Sequence, residues 1–286
     1  MPNILNPHSI KALALDLDGT ALRPGNILSD RTLAALRSCM SKGIEIILCT
    51  GRAVEAAEKY RVPMGAAGPM VYFNGAEVVD MPGRKVLSAT LLGKEVVDFC
   101  TDISRSMGVH YQVFFPAAAD AAIAGEAPHE ILMIEKPGPE AEMYRDHTGI
   151  VPVTGDIKKA VAGFSGCIKS MFIADPAIHE VIRSKLLERF GDTIYVARTY
   201  PTFLEVMNAA VNKGEGLRYA MEQRGLKPEQ VIALGDEEND LPMFSVAGFS
   251  VAPANAKEKV KSAADLVTGP NTEDGAAAFL EETFGV

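Results

Sequence analysis

"LALDLDGTAL", residues 13–22, decides how this chain is read. An apolar run with the look of a buried strand ends in two carboxylates, Asp16 and Asp18, followed by Gly19 and Thr20. Buried acids are costly unless they are paired, hydrogen-bonded or bound to a metal. Residues two apart on an extended strand face the same side, so the two acids are expected to point together. The carboxyl end of a strand is where open α/β sheets bind ligands, and Gly19 lets the chain turn sharply there. The same theme returns far along the chain in "VIALGDEEND", residues 231–240, where a strand ends at Gly235. Asp236, Asn239 and Asp240 then follow at helical i, i+3, i+4 spacing. If the two strands are neighbours, Asp16, Asp18 and Asp236 converge. Three hard oxygen donors with room for water describe a magnesium site. The plainer readings are a helix N-cap for Asp236 and a turn device for the Asp16–Asp18 pair. Two matching strand tips weigh against both.

Outward from these tips, strands and helices alternate. "KALALDL" reads as a strand, and Ser29 caps a helix with apolar positions Leu33, Leu36 and Met40, ended by Gly43. "IEIILCT" (44–50) is a second buried strand, with a helix expected from about Arg52. Asn74-Gly75, between apolar flanks, signals a hairpin. After residue 200 the pattern resumes: a helix over 214–224, the strand "VIALG", a short helix near 240–246, "GFSVAP", a helix near 256–263, "ADLVT" and a final helix. This alternation implies a parallel sheet covered on both faces. The middle differs. Helices over 94–107 and 176–190 lie among "GVHYQVFF", "EILMIEK", "GCIKSMFIA" and "TIYVA", which reads as an antiparallel sheet with helices on one face. The expected organisation is a discontinuous core, 1–83 and 201–286, with an inserted second domain, 84–200. The small-residue-rich "PAAADAAIAGEAPH" (116–129) reads as a loop or weak strand. The lone Gly214-x-Gly216 has no third glycine and carries no weight as a dinucleotide fingerprint.

Two further groups fit an anion beside the acids. Thr50 ends a strand before Gly51, and a hydroxyl with a glycine amide can donate to phosphate oxygens; its plain reading is a cap on the next helix. Lys213 opens a helix, where a cation is unfavourable unless an anion sits there too; its plain reading is a solvated surface lysine.

"DLDGT", "CTGR", "NKGEGL" and "GDEEND", in this order, resemble the four motifs of the haloacid dehalogenase superfamily, and more narrowly its Cof-type phosphatases of subclass IIB. The resemblance covers nearly the whole chain. It implies a Rossmann-like α/β core with an inserted α/β cap of the C2B type. It also implies roles: Asp16 as the nucleophile that becomes aspartyl-phosphate, and Asp18 as general acid/base, giving its main-chain carbonyl to Mg2+. Asp236 is implied as a direct ligand, and Asp240 as an acid behind the ligands or acting through water. The Leu17 amide, Thr50, Gly51, Lys213 and Asn239 are implied to hold phosphate. The activity implied is magnesium-dependent hydrolysis of a small phosphate ester. A phosphomutase or sugar-phosphate-specific relative shares the same motifs, and a non-catalytic regulator would have been expected to lose Asp16, Asp18 or Lys213. In the cap, His110, His129, His147, Lys169, Arg198 and Tyr200 are polar groups that could face a substrate, each more simply read as a surface or hinge residue.

The bulk numbers agree. A chain of 286 residues is long enough for one large or two ordinary domains. A net charge of -9 disfavours broad nucleic-acid binding, so an anion site must be built from local charge. No apolar stretch reaches the roughly 18 residues of a membrane span, and the N-terminal residues do not read as a secretory signal. Four scattered cysteines without a CxxC pair fit a reducing cytoplasm. The expected state is a cytoplasmic monomer or small homo-oligomer.

Overall fold

The structure is a computed structural model that describes residues 5–116 and 129–286. The segment 116–129, read above as a loop or weak strand, lies outside the described residues apart from its two ends. The chain divides into two units. One holds residues up to Arg52, then Ala57–Ser88 and Asn212–Val286; the other holds Ala53–Ala56 and Ala89–Val211.

In the first unit, β1 (Ala12–Leu15) is followed by α1 (Asp30–Ser41), β2 (Glu45–Leu48), α2 (Val54–Met64), β3 (Gly68–Tyr72), β4 (Glu77–Met81) and β5 (Lys85–Ala89). The Ser29 side chain accepts the Thr32 N–H and starts α1, as its sequence implies. The second helix begins at Val54, two residues later than expected. β3 and β4 form the expected antiparallel hairpin, Tyr72 opposite Glu77, around Asn74-Gly75.

The second unit contains β6 (Leu92–Gly93), α3 (Lys94–Met107), β7 (His110–Pro116), β8 (Glu130–Ile134), α4 (Pro139–Thr148), β9 (Val153–Thr154), α5 (Ile157–Ala162), β10 (Gly166–Cys167), β11 (Lys169–Ile173), α6 (Pro176–Phe190), β12 (Ile194–Tyr200) and β13 (Phe203–Asn208). Its main sheet has the order β12-β13-β11-β7-β8-β9 and is antiparallel except for β8 beside β9. Alternation along the strands sends Tyr111, Val113, Phe115, Phe172, Leu204 and Val206 into one apolar core with residues of α3, α5 and α6. The inserted domain therefore ends at Val211 rather than at 200, and begins at Ala89 rather than 84. The reason is pairing: β13 bonds to both β11 and β12 and cannot belong to the other sheet, while β5 joins β3 and β4 in the first unit.

The chain returns to the first unit through α7 (Lys213–Arg224), β14 (Val231–Leu234), α8 (Leu241–Phe244), β15 (Phe249–Pro253), α9 (Glu258–Ala263), β16 (Leu266–Thr268) and α10 (Gly275–Phe284). Five parallel strands run β16-β15-β14-β1-β2. Their registers pair Leu15 with both Leu234 and Leu48, so the carboxyl ends of β1, β14 and β2 lie side by side. Ala12, Ala14, Ile47 and Ala233 pack on one face against Leu217, Ala220 and Met243. Leu13, Leu15 and Leu48, on the other face, are equally buried. Both faces are covered, as near-continuous apolar strands require. Among the described residues no helix is long and apolar enough to cross a membrane. The four cysteines are free and buried.

Candidate active site

The adjacent tips of β1, β14 and β2 bring four of the sequence motifs together. Asp16 follows β1, with its N–H bonded to the Leu234 carbonyl, and its side chain is buried. Lys213 is buried too, at 1% exposure, which removes the reading of a solvated surface lysine. Its ammonium donates to Asp16 Oδ1 and to Asp240 Oδ1, both at 2.6 Å. The Asn212 side chain caps the same helix by accepting the Glu215 N–H. Asp240 spends its second oxygen on the N–H groups of Asp236 and Glu237, at 2.8 and 2.9 Å. Asp240 is thus committed to shaping the turn and holding Lys213, which suits an acid standing behind metal ligands. Asp236 is not a helix cap: its Oδ1 accepts the Thr20 hydroxyl at 3.0 Å.

The opening acids part company. β1 ends at Leu15, so the strand geometry that would align Asp16 and Asp18 has already lapsed. Asp16 turns inward to Lys213, while Asp18 is half-exposed and takes a two-pronged pair with Arg52, at 2.7 and 2.6 Å. Arg52 also donates to Asn26 Oδ1 and lies over the Tyr60 ring, 5.0 Å from its centre. Gly19 has φ +80, and a Cβ there would lie 2.1 Å from Asp236 Oδ2, so only glycine lets these two segments meet.

Thr50 is fully buried at the tip of β2; its oxygen accepts the Arg52 N–H at 3.1 Å, leaving the hydroxyl hydrogen to donate elsewhere. Leu17 is buried, with its carbonyl taken by the Leu22 N–H. Asn239 donates from Nδ2 to Asn74 Oδ1 at 2.9 Å, and its own Oδ1 is buried without a partner among the described residues. Arg52, Asn74 and Thr20 were missed by sequence reasoning. Arg52 stands inside "CTGR" and Thr20 inside "DLDGT", so their signal was adjacency alone; Asn74 was read only as a turn.

Carboxylate oxygens of Asp16, Asp236 and Asp240 lie within 4.8 Å of one another. Burial pushes the Asp16 carboxyl well above the usual range; the Lys213 ammonium pulls against this, and Asp240, Asp236 and Asp18 add to it. Burial, with Asp240 adding to it, likewise pushes Asp236 up to about 7, against the Thr20 hydroxyl. Burial alone would lower Lys213, but Asp16 and Asp240 outweigh it and keep the ammonium charged. Four acids, Asp16, Asp18, Asp236 and Asp240, stand against two cations, Lys213 and Arg52. That excess is what one divalent cation neutralises, and the donors are hard oxygens. The residues fit such an ion.

Of the polar groups singled out in the second unit, Lys169, His110, His147 and Tyr200 have partners there. Lys169 is not at the surface: it is buried in a 2.7 Å pair with Glu205. His110 lies 3.2 Å from Gln112 Oε1. His147 packs against Tyr200, whose ring lies tilted against Phe203, 5.0 Å between centres. His129 is buried, and Arg198 lies on β12.

A parallel sheet with acids at its central strand tips, a buried lysine bridging two of them and an inserted α/β unit define one class of protein. Residues 13–280 match the model of the haloacid dehalogenase-like hydrolases, and the chain belongs to that family. It is 32% identical over 281 residues to the 5-amino-6-(5-phospho-D-ribitylamino)uracil phosphatase YitU of Bacillus subtilis, covering 96% of this chain and 97% of the relative. A haloacid dehalogenase-like hydrolase from Bacteroides thetaiotaomicron superposes with a TM-score of 0.85 at 26% identity, over 96% of this chain and 100% of that one. The subclass IIB sugar phosphatase BT4131 superposes with a TM-score of 0.74 at 25% identity, over 96% and 99%. The protein is an enzyme of the Cof-type group, a phosphoric monoester hydrolase.

Proposed function

We propose that the protein is a Mg2+-dependent phosphatase of a small phosphorylated metabolite, working through an aspartyl-phosphate on Asp16. The observation that carries this reading is the buried Lys213 ammonium, 2.6 Å from both Asp16 and Asp240, with Asp236 at the same point. The ion would be held by the carboxylates of Asp16 and Asp236 and the main-chain carbonyl of Asp18. When bound, it offsets the repulsion between the phosphate dianion and the acids around it.

The chain's own groups supply the rest. Lys213 holds Asp16 in place and, with the Thr50 hydroxyl and the Leu17 and Gly51 amides, stabilises the charge on the transferring phosphoryl oxygens. An Asp16 oxygen bonds to phosphorus as the ester oxygen leaves, so one displacement becomes two. Asp18 gives that oxygen a proton and later takes one from the water that attacks the Asp16 phosphate. It is the half-exposed acid of the group, held in a two-pronged pair with Arg52 that it has to leave to meet the ester oxygen. A sugar or polyol phosphate is the favoured substrate class, supported by the names of the two phosphatases above. The free, buried cysteines fit a reducing cytoplasm.

The test is hydrolysis of an aryl phosphate and of a panel of sugar, polyol and nucleoside phosphates, with Mg2+ and with chelator. Activity is expected only with the metal. Asp16→Asn should abolish turnover, while Asp18→Asn should lose on the order of 10²–10⁴-fold on poor leaving groups and far less on a nitrophenolate, which needs no proton. Equal rates with and without metal would refute the reading.

A further inference from the structure

Asn74-Gly75 reads in the sequence as a hairpin turn, and a turn needs only backbone. Here Asn74 has φ +58, the left-handed region that asparagine tolerates. Its side chain, however, does not point to solvent: the residue is nine-tenths buried. A Cβ placed on Gly51 would lie 3.0 Å from Asn74 Oδ1 and 3.2 Å from Nδ2, so the carboxamide lies against the backbone of the residue assigned to phosphate. The Asn74 N–H donates to the Thr50 carbonyl at 2.9 Å. Its Oδ1 accepts from Asn239 at 2.9 Å. The next residue, Gly75, is at φ +100 and packs so closely that a Cβ would fall 2.2 Å from the Asn212 carbonyl, directly before Lys213. One turn thus touches the segments of Thr50–Gly51, Asn212–Lys213 and Asn239.

The hydrogen-bond count at this corner is incomplete. Asn74 Nδ2 donates to no described residue and is not fully enclosed, so its two N–H groups are open to a ligand, while Asn239 keeps a second N–H and a buried Oδ1 without a partner among the described residues. Buried amide groups in a native protein have partners, protein or other. A free amide donor lying against Gly51, next in the chain to the buried Thr50, suits an oxyanion.

We propose that Asn74 is part of the phosphate-holding surface, donating its side-chain amide to a phosphoryl oxygen while its Oδ1 fixes the rotamer of Asn239. This rests on the phosphatase reading and adds to it a residue from outside the four motifs. A methyl group on Gly51 would press on the Asn74 carboxamide and require it to give by a few tenths of an ångström.

Two variants separate the side chain from the turn. Asn74→Gly accepts the left-handed backbone and removes both the donor and the acceptor. Asn74→Asp keeps the shape, the acceptor and the backbone preference but replaces the donor with a charge. The readouts are competitive inhibition by inorganic phosphate, kcat on an aryl phosphate, the Mg2+ concentration for half-maximal activity and the thermal midpoint. The expected result is that both variants fold, need the same Mg2+ concentration, lose about tenfold or more in affinity for phosphate, and lose about 10²-fold in kcat, the scale of one oxyanion donor. Unchanged inhibition by phosphate in folded Asn74→Gly would overturn the assignment, leaving Asn74 a turn residue. Joint loss of phosphate and Mg2+ affinity in both variants would overturn it as well, marking a collapsed site. A wild-type protein that neither hydrolyses phosphate esters nor is inhibited by phosphate would overturn the phosphatase reading, and this inference with it.

Discussion

Asp236 shows how a single residue links the site to stability. Its carboxyl is raised to about 7 from an ordinary value of 3.8. The folded state therefore binds this proton more tightly than the unfolded chain does. The stability this contributes is fully present below about pH 4 and is lost as pH rises through about 7, on the order of 4 kcal/mol at most. Asp16 is raised by the same burial and acts in the same direction. A divalent cation bound by these acids requires them deprotonated and stabilises only the folded state. Added Mg2+ is therefore expected to raise the thermal midpoint more at pH 8 than at pH 5. Thermal unfolding with Mg2+ and with chelator at the two pH values measures this, and an equal rise at both would remove Asp236 from the ligand set.

At the scale of elements, α7 matters because it delivers Lys213. Its glycines, dismissed as a nucleotide fingerprint, turn out to be packing devices. A Cβ on Gly214 would lie 2.5 Å from the Pro242 carbonyl oxygen, and one on Gly216 would lie 2.5 Å from Val71 Cγ1. The helix can then sit tightly against the Asn239–Asp240 turn and against β3. Two effects oppose each other in Gly214→Ala. Helix propensity favours alanine by about 1 kcal/mol, whereas overpacking costs roughly 1–3 kcal/mol and here presses on backbone that cannot rotate away. The second should win. The variant is expected to unfold several degrees lower and to lose kcat, because the 2.6 Å contacts of the neighbouring Lys213 depend on this seating. A raised midpoint in a thermal scan would show that the helix had room to spare.

For the whole molecule, the discontinuous unit that carries the motifs is continuous in its hydrogen bonding. The five-stranded sheet and both of its covered faces are built from residues before Ser88 and after Asn212. The inserted unit has its own sheet and its own apolar core. Each unit thus contains what independent folding requires. We propose that the insert sets substrate selectivity and that the other unit performs the chemistry. Replacing Ala89–Val211 by a short linker should leave a folded protein that keeps its Mg2+-induced thermal shift and loses discrimination among organic phosphates. A substrate panel on both forms measures it. An unchanged selectivity profile would assign recognition to the motif-bearing unit.

The sequence by itself determined the architecture and that its acidic motifs meet at one corner of the sheet. Apolar strands ending in Asp16, Thr50 and Asp236, separated by periodic helices, leave few topologies open, because a short buried strand has to pair and a buried acid has to be compensated. Ser29, Gly43 and the Asn74-Gly75 turn were legible for the same reason: capping and turn chemistry act over a few residues. What only the tertiary structure decided was the choice of partner. Nothing local tells that Asp18 pairs with Arg52 rather than facing Asp16, or that Lys169 is buried against Glu205. Nor does it tell that residues 203–208 pair with the inserted sheet, or that the Asn74 side chain turns inward to Asn239. These outcomes depend on which of many polar and apolar surfaces come within hydrogen-bond reach once the chain is compact, and such contacts between distant residues leave no periodic trace in the sequence.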